Sequence, residues 1–262
     1  MIHKTAIISE TSKIADNVEI GPYSIIGPNV KIENNTKIHS HVNVVGNTTI
    51  GSENEIFPFT SIGTDPQDLK YEGEENSIII GNNNKIREYS NINPGTKGGG
   101  GITKIGNNNL FMVYTHIAHD CNVGNNIVLA NNVQVGGHVL IEDNAIIGGS
   151  CAVHQFSRIG ELSMVGGMTG VLSDIIPFGL SLGNRNSLIG LNIIGLRRAK
   201  ISNEHIKILD QSYKEIFKSS TIKENVKKLN EEIKKNIYVN KIVNFITSDK
   251  KRPISVPENI KW

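Results

Sequence analysis

Aliphatic residues recur at every sixth position through most of the chain. Ile2, Ile8, Ile14, Ile20, Ile26, Ile32, Ile38, Val44, Ile50, Ile56 and Ile62 hold a single phase. The phase resumes at Ile80, Ile86 and Ile92, slips by one residue, and runs from Ile105 through Phe111, Ile117, Val123, Leu129, Val135, Ile141, Ile147, Val153, Ile159 and Val165 to Val171. Four residues after most of these stands a small or β-branched side chain, as at Ser24, Thr36, Thr60, Ser90, Thr115, Val133, Ala145 and Thr169. A period of six with two inward positions excludes an amphipathic helix, whose apolar residues return about every 3.6. It predicts a parallel β-helix in which each hexapeptide supplies a short strand and a turn, three make a triangular coil, and coils stack about 4.8 Å apart.

Residues 2 to about 176 then supply roughly nine coils, a prism on the order of 45 Å long. Glycine after the aliphatic (Gly21, Gly27, Gly51, Gly81, Gly106, Gly124) and asparagine runs such as 81–84 are expected to take the positive φ of tight corners. Cys121 and Cys151 fall on the small inward position and are expected to be structural. Segments 63–79 and 93–104 break the period, are polar or glycine-rich, and are expected to project as loops where binding groups can sit. Beyond residue 196 the pattern turns helical. Ser202 can cap a helix carrying Ile206, Leu209, Tyr213, Ile216 and Phe217. Thr221 to Glu224 reads as a capping box for a second helix with Val226, Leu229 and Ile233. A third helix is expected at about 238–248. The expected division is a β-helix over 1–196 and a small α-helical domain over 197–262.

Charge follows that division. Residues 1–196 hold 11 Lys/Arg against 17 Asp/Glu, a balance of −6, and residues 197–262 hold 16 against 8, a balance of +8. The basic end invites an acidic partner, or is a solvated lysine-rich helix face. No apolar run has the length of a signal peptide or a membrane span, so a cytoplasmic protein without membrane insertion is expected.

Because a coil is eighteen residues, positions eighteen apart lie one above the other. His119 falls beside Gly137 and Gly137 beside Gln155, with His154 one residue short of that column; Asp120 falls beside His138. Four of the eight histidines, His116, His119, His138 and His154, thus gather on three successive coils. His119 with Asp120 reads as a general base, since imidazole titrates near neutrality and a carboxylate fixes its tautomer. Gly137 offers an unobstructed N–H for an oxyanion, or is an ordinary corner glycine. Nothing nearby reads as an activated nucleophile, which favours direct transfer over a covalent intermediate. A metal site is the chemical alternative. Yet hexapeptide β-helices that hold zinc between subunits, as γ-class carbonic anhydrases do, space two histidines five apart with a third upstream, and that spacing is missing. No metal or cofactor is expected.

The strings QDLKY at 67–71, THIAHDCNVGN at 115–125, GGH at 136–138, AVHQF at 152–156 and GLNIIGLRR at 190–198 closely resemble the acyl-carrier-protein:UDP-N-acetylglucosamine O-acyltransferases that begin lipid A synthesis. The resemblance covers essentially the whole chain and implies a left-handed β-helix assembled as a homotrimer with sites between neighbouring prisms. It implies that His119, oriented by Asp120, deprotonates the sugar 3-hydroxyl as it attacks a 3-hydroxyacyl thioester, while the Gly137 N–H receives the oxyanion. Asp68 and Lys70, with Gln67 nearby, would hold the sugar nucleotide. His116, His138, His154, Gln155, Asn192 and Arg198 would line the rest of the pocket, Arg198 facing the phosphates, and Gly167 would measure acyl length. Ile194 and Ala199 stand where relatives often carry a glutamate and a second arginine. The implied partners are acyl carrier protein, docking near the basic C-terminal domain, and UDP-GlcNAc; no nucleic acid is implied. Weighed against this are an N-acyltransferase of the same pathway, a coenzyme-A-dependent acetyltransferase and a catalytically silent β-helical scaffold.

Overall fold

A computed structural model describes residues 1–219, 221–248 and 251–258. The hexapeptides form a left-handed parallel β-helix with three flat faces. The first face carries nine strands from Ile7–Ile8 to Gly170–Val171, and the second eight from Lys13–Ile14 to Arg158–Ile159. The third carries ten, beginning at Glu19–Ile20 and closing with Gly179–Leu182, on which Ser187–Leu191 folds back antiparallel. Most pairs are two residues wide and eighteen apart, as in Ile7 with Ile25 and His116 with Gln134. Along the axis the aliphatics form one column-like core in which Ile50, Ile56, Ile62, Phe111, Leu129 and Ile147 are 0% exposed.

The phase slip has a simple origin. Ser61 pairs with Asn91, thirty residues on, so the first insertion adds twelve residues to a coil and keeps the period of six. Asn91 pairs with His116, twenty-five on, so the second adds seven and shifts the phase by one. Both insertions end earlier than the expected loop limits of 79 and 104. Ser77–Ile80 and Ile102–Ile105 are four-residue strands paired with each other, because Ile78 and Thr103 bury an extra inward residue ahead of the usual one.

The corners also depart from expectation. Positive φ falls not on the glycine after the aliphatic but two residues later, at Tyr23, Asn35, His41, Phe59, Asn83, Asp120, His138 and Phe156, among others. Those glycines are needed for closeness: a Cβ on Gly51 would stand 2.6 Å from the Gly81 carbonyl oxygen, and one on Gly81 2.6 Å from that of Gly106. One inward column is polar rather than small. Asn84 Nδ2 donates to Asn54 Oδ1 (2.9 Å), the Asn109 N–H to Asn84 Oδ1 (3.0 Å) and the Ile127 N–H to Asn109 Oδ1 (2.7 Å). This ladder pairs buried amides that would otherwise carry a desolvation penalty.

Five helices follow: α1 (Ile193–Arg198), α2 (Asn203–Ile216), α3 (Ile222–Lys228), α4 (Glu231–Lys234) and α5 (Ile237–Thr247). Helix α1 spans the 196/197 division drawn from the sequence. Ser202 caps α2 as expected, accepting from the His205 N–H. The capping box at Thr221 does not form: its hydroxyl pairs with Ser219 Oγ (3.0 Å), and α3 stops before Leu229 because Asn230 opens and caps α4. Ile233 therefore belongs to a separate helix.

A second apolar cluster runs from Ile176 and Phe178 through Leu209, Ile216, Val239 and Ile246 to Ile254, joining the helices to the end of the prism. An ion pair clamps the joint. Arg158 Nε donates to buried Asp174 (2.8 Å), its Nη1 to Ser248 Oγ (2.7 Å) and its Nη2 to the Phe245 carbonyl (3.1 Å).

Candidate active site

The corner between the first and second faces carries the ionisable cluster. Asp120 occupies a left-handed corner position (φ 59°) that turns its side chain back under a roof made by the second insertion. The Thr96 N–H donates to both carboxylate oxygens (3.0 Å each) and the Thr96 hydroxyl to Oδ2 (2.7 Å). Gly99 lies so close that a Cβ there would fall 2.0 Å from the Asp120 carboxyl carbon. The Asp120 side chain is wholly buried, and its Oδ2 also accepts from His119 Nδ1 at 2.8 Å. A carboxylate at Nδ1 sets the neutral tautomer that leaves a lone pair on Nε2. Nε2 faces Asp68 Oδ2, 3.9 Å away on the first insertion.

His138 stands edge-on to His119, with ring centroids 4.9 Å apart, and stacks on Phe156 at 4.4 Å. Burial pushes the His138 imidazole below its ordinary value against the opposing pull of Asp120. Burial, followed by repulsion from His119, lowers His116 as well, and its Nδ1 is hydrogen-bonded to Asn91 Oδ1 at 2.8 Å. Both shifts favour the neutral form of these two rings. Gly137 lies directly beneath the His119 ring, and its buried N–H has no protein acceptor among the described residues. The N–H at this corner position is also without a protein acceptor among the described residues at Val113, Asn131 and Gly149, and Gly137 differs from them in being buried, against the His119 ring.

Cys121 is no nucleophile. It points into the core, donates to the Gly136 carbonyl, and burial pushes its thiol up to about 12. Ligand atoms of His119, Asp120 and His138 lie within 4.8 Å of one another, but the carboxylate already accepts from Thr96 and His119.

Comparison with known proteins gives the family. Residues 174–255 match the family model described as UDP N-acetylglucosamine O-acyltransferase, domain 2. An acyl-[acyl-carrier-protein]–UDP-N-acetylglucosamine O-acyltransferase from Aliarcobacter butzleri is 48% identical over 260 residues, 99% of either chain. The chain belongs to the UDP-N-acetylglucosamine O-acyltransferase family. It is an acyltransferase. Among solved structures, LpxA from Acinetobacter baumannii superposes with a TM-score of 0.94 at 45% identity, covering 97% of this chain and 99% of that one. The Francisella novicida UDP-N-acetylglucosamine acyltransferase gives 0.95 at 37% identity, covering 99% and 95%.

In this acyltransferase the sequence-derived site residues fall into separate groups. His119, Asp120, Gly137 and His138 meet directly, with His116 beside them. Asp68 and Lys70 line a cavity of about 610 Å³ with Thr96, His138 and Phe156, the Lys70 N–H donating to Asp68 Oδ1 (3.0 Å). Gln67 is exposed and does not line that cavity. His154 and Gln155 continue the same edge one coil on. Asn192 and Arg198 belong to a different, largely apolar groove of about 700 Å³ with Leu180, Leu191 and Ile194. The Asn192 side chain is occupied there, accepting from the Gly195 N–H (3.0 Å) and donating to the Leu162 carbonyl (2.9 Å). Gly167 sits exposed at the corner between the third and first faces, next to Gly149.

Sequence reasoning missed Thr96 and Gly99, reading them only as loop. The twenty-five-residue offset between Asn91 and His116 sets Gly95 one coil below Asp120, a signal present in the phase slip. Thr96 acts through Asp120, as a positioning residue. Thr96→Val should lower kcat roughly 10- to 100-fold, the worth of one hydrogen bond to a charged group, while Thr96→Ser retains most activity. Equal kcat for the Val and Ser enzymes would remove Thr96 from the machinery.

Proposed function

We propose that this chain transfers a 3-hydroxyacyl group from acyl carrier protein to the 3-hydroxyl of UDP-GlcNAc, the first step of lipid A biosynthesis, in the cytoplasm. The observation that carries the mechanism is the His119–Asp120 pair, its Nδ1 held by a buried carboxylate and its Nε2 facing Asp68, which lines the cavity. His119 Nε2 takes the proton of the sugar hydroxyl as that oxygen bonds to the thioester carbon. The unpaired Gly137 N–H stabilises the resulting oxyanion. Collapse breaks the C–S bond, and the proton on Nε2 passes to the leaving thiolate. Neutral His116 and His138 supply hydrogen bonds to substrate without competing for that proton. Asp68 and Lys70, with Gln67 nearby, hold the sugar nucleotide from the first insertion.

The acceptor and its nucleotide require a second copy of the chain. The base lies on one edge of the prism, while Asn192, Arg198 and Gly167 lie on other surfaces, so a homotrimer with sites between prisms reunites them. Exposed apolar side chains support this: Leu69 at the tip of the first insertion is 106% exposed and Ile194 65%. In that arrangement Arg198 faces the phosphates, His154 and Gln155 extend the pocket, and Gly167 measures the acyl chain. Residues 1–196 form the catalytic prism, and 197–262, at a balance of +8, a module that attracts the acidic carrier. No described helix is long and apolar enough to cross a membrane.

The testing experiment crosses UDP-GlcNAc and its 3-amino analogue with carriers bearing different hydroxyacyl lengths. The reading expects an ester of UDP-GlcNAc from a hydroxyacyl donor, weakened by high salt. Transfer only to the amine, or none to either sugar, would contradict it. Gly167→Met should shift the preference towards shorter donors, and an unchanged length profile would remove Gly167 as the ruler.

A further inference from the structure

The cavity beside His138 has a wall that comes from the far end of the chain. After α5 the backbone returns to the prism, where Ile254 pairs in parallel with Asp174 and is 1% exposed. The Asp174 N–H donates to the Pro253 carbonyl, and the Ser255 N–H to the Asp174 carbonyl, both at 2.7 Å. This short pairing fixes the two residues just before it. Lys251 Nζ rests 4.3 Å from the centroid of the Phe156 ring, which itself stacks on His138. Arg252 Nε donates to the Gln155 carbonyl (3.0 Å), and its Nη2 is hydrogen-bonded to His154 Nδ1.

These two cations differ from five others of the basic C-terminal part in what holds them. Lys214, Lys218, Lys234, Lys235 and Lys241 each meet an Asp or Glu side chain. Among the described residues, Lys251 and Arg252 meet none. Their partners are an aromatic face, a carbonyl and an imidazole nitrogen, none of them a carboxylate, which fix position and leave the charge without an acidic counterpart. Of the three acids that line the same cavity, Asp68 faces His119 and Glu74 accepts from the backbone N–H groups of Lys97 and Glu72, while the Glu72 carboxylate meets no cation among the described residues. Arg252 Nη1 also has no acceptor among the described residues, leaving part of the guanidinium fork open.

We infer that Lys251 and Arg252 form a phosphate-ester subsite at the catalytic cavity, brought there by the C-terminal segment. An open guanidinium and an ammonium on adjacent residues, the second lining the cavity, suit phosphate oxygens, the first by paired N–H groups and the second as a point charge. The inference rests on the acyl-transfer reading, in which two substrates carry such a group: the sugar nucleotide its diphosphate and the carrier its 4′-phosphopantetheine arm.

Calorimetric titration of the full-length protein separates the two sources. UDP-GlcNAc and 4′-phosphopantetheine are titrated separately into wild type, Lys251→Gln and the Lys251→Gln/Arg252→Gln double variant. Lys251 is exposed and touches only a ring, so the single variant tests the subsite even if the double variant folds poorly. Affinity for one probe should fall at least fivefold in the single variant and return with Lys251→Arg; the probe that weakens identifies the source. Unchanged affinity for both probes, or no binding of either by wild type, would overturn the subsite. Titration reads binding without turnover, so a failure of the acyl-transfer reading would appear separately, in the wild-type assay.

Discussion

His119→Ala is expected to lower kcat/KM for acyl transfer by 10²- to 10⁴-fold, about 3–5.5 kcal/mol of transition-state stabilisation. The fold should be untouched, because His119 projects from a corner whose inward neighbours, Ile117 and Cys121, carry the packing at 1% exposure each. The size of the loss follows from the absence of a substitute. His116 and His138 are pushed down by burial, and His116 Nδ1 is committed to Asn91. The assay is steady-state transfer alongside circular dichroism and light scattering. An Ala enzyme within a few-fold of wild type would transfer the role to another group.

Gly137→Ala is expected to cost a comparable 10²- to 10³-fold, the scale of losing an oxyanion donor. A Cβ at Gly137 would stand 2.6 Å from both Cε1 and Nε2 of His119, closer than non-bonded carbons approach. Gly137 has no positive φ, so the alanine backbone is unstrained and the whole effect comes from the ring. Two outcomes follow from displacement: Nδ1 leaves Asp120, and the unpaired N–H no longer faces the same point as Nε2. Thermal unfolding should move little, since the prism core lies on the other side of the backbone. Wild-type turnover in this variant would show that neither ring position nor N–H access matters.

The architecture was legible because one period governs both packing and sequence. Twenty-six inward apolar residues at a spacing of six, broken only at the two insertions, are enough to specify strands, faces and the eighteen-residue register, and that register brings His119, Asp120, Gly137 and His138 together. Legibility stopped where the chain leaves the period. The insertion lengths decide which loop residue covers Asp120, so Thr96 and Gly99 stayed hidden inside a polar stretch. The left-handed corner was legible at the asparagine runs, where Asn83 takes it, but not at the glycines, which serve backbone contact while aromatic and histidine residues take the other corners. Lys251 and Arg252 reach the site only through the packing of five helices, and no local pattern encodes that return. Asn192, Arg198 and Gly167 were grouped with His119 by resemblance, yet a single prism holds them apart.

The central claim is direct attack by the sugar hydroxyl with His119 as the base, and a single-turnover experiment addresses it. Excess protein is mixed with acylated carrier and UDP-GlcNAc, quenched over time, and analysed by mass spectrometry for free carrier thiol, sugar ester and acylated protein. The account predicts that thiol and ester appear at one rate, that no acylated protein forms, and that carrier alone releases no thiol. Thiol release before the sugar is added, with an acyl group on the protein, would contradict it.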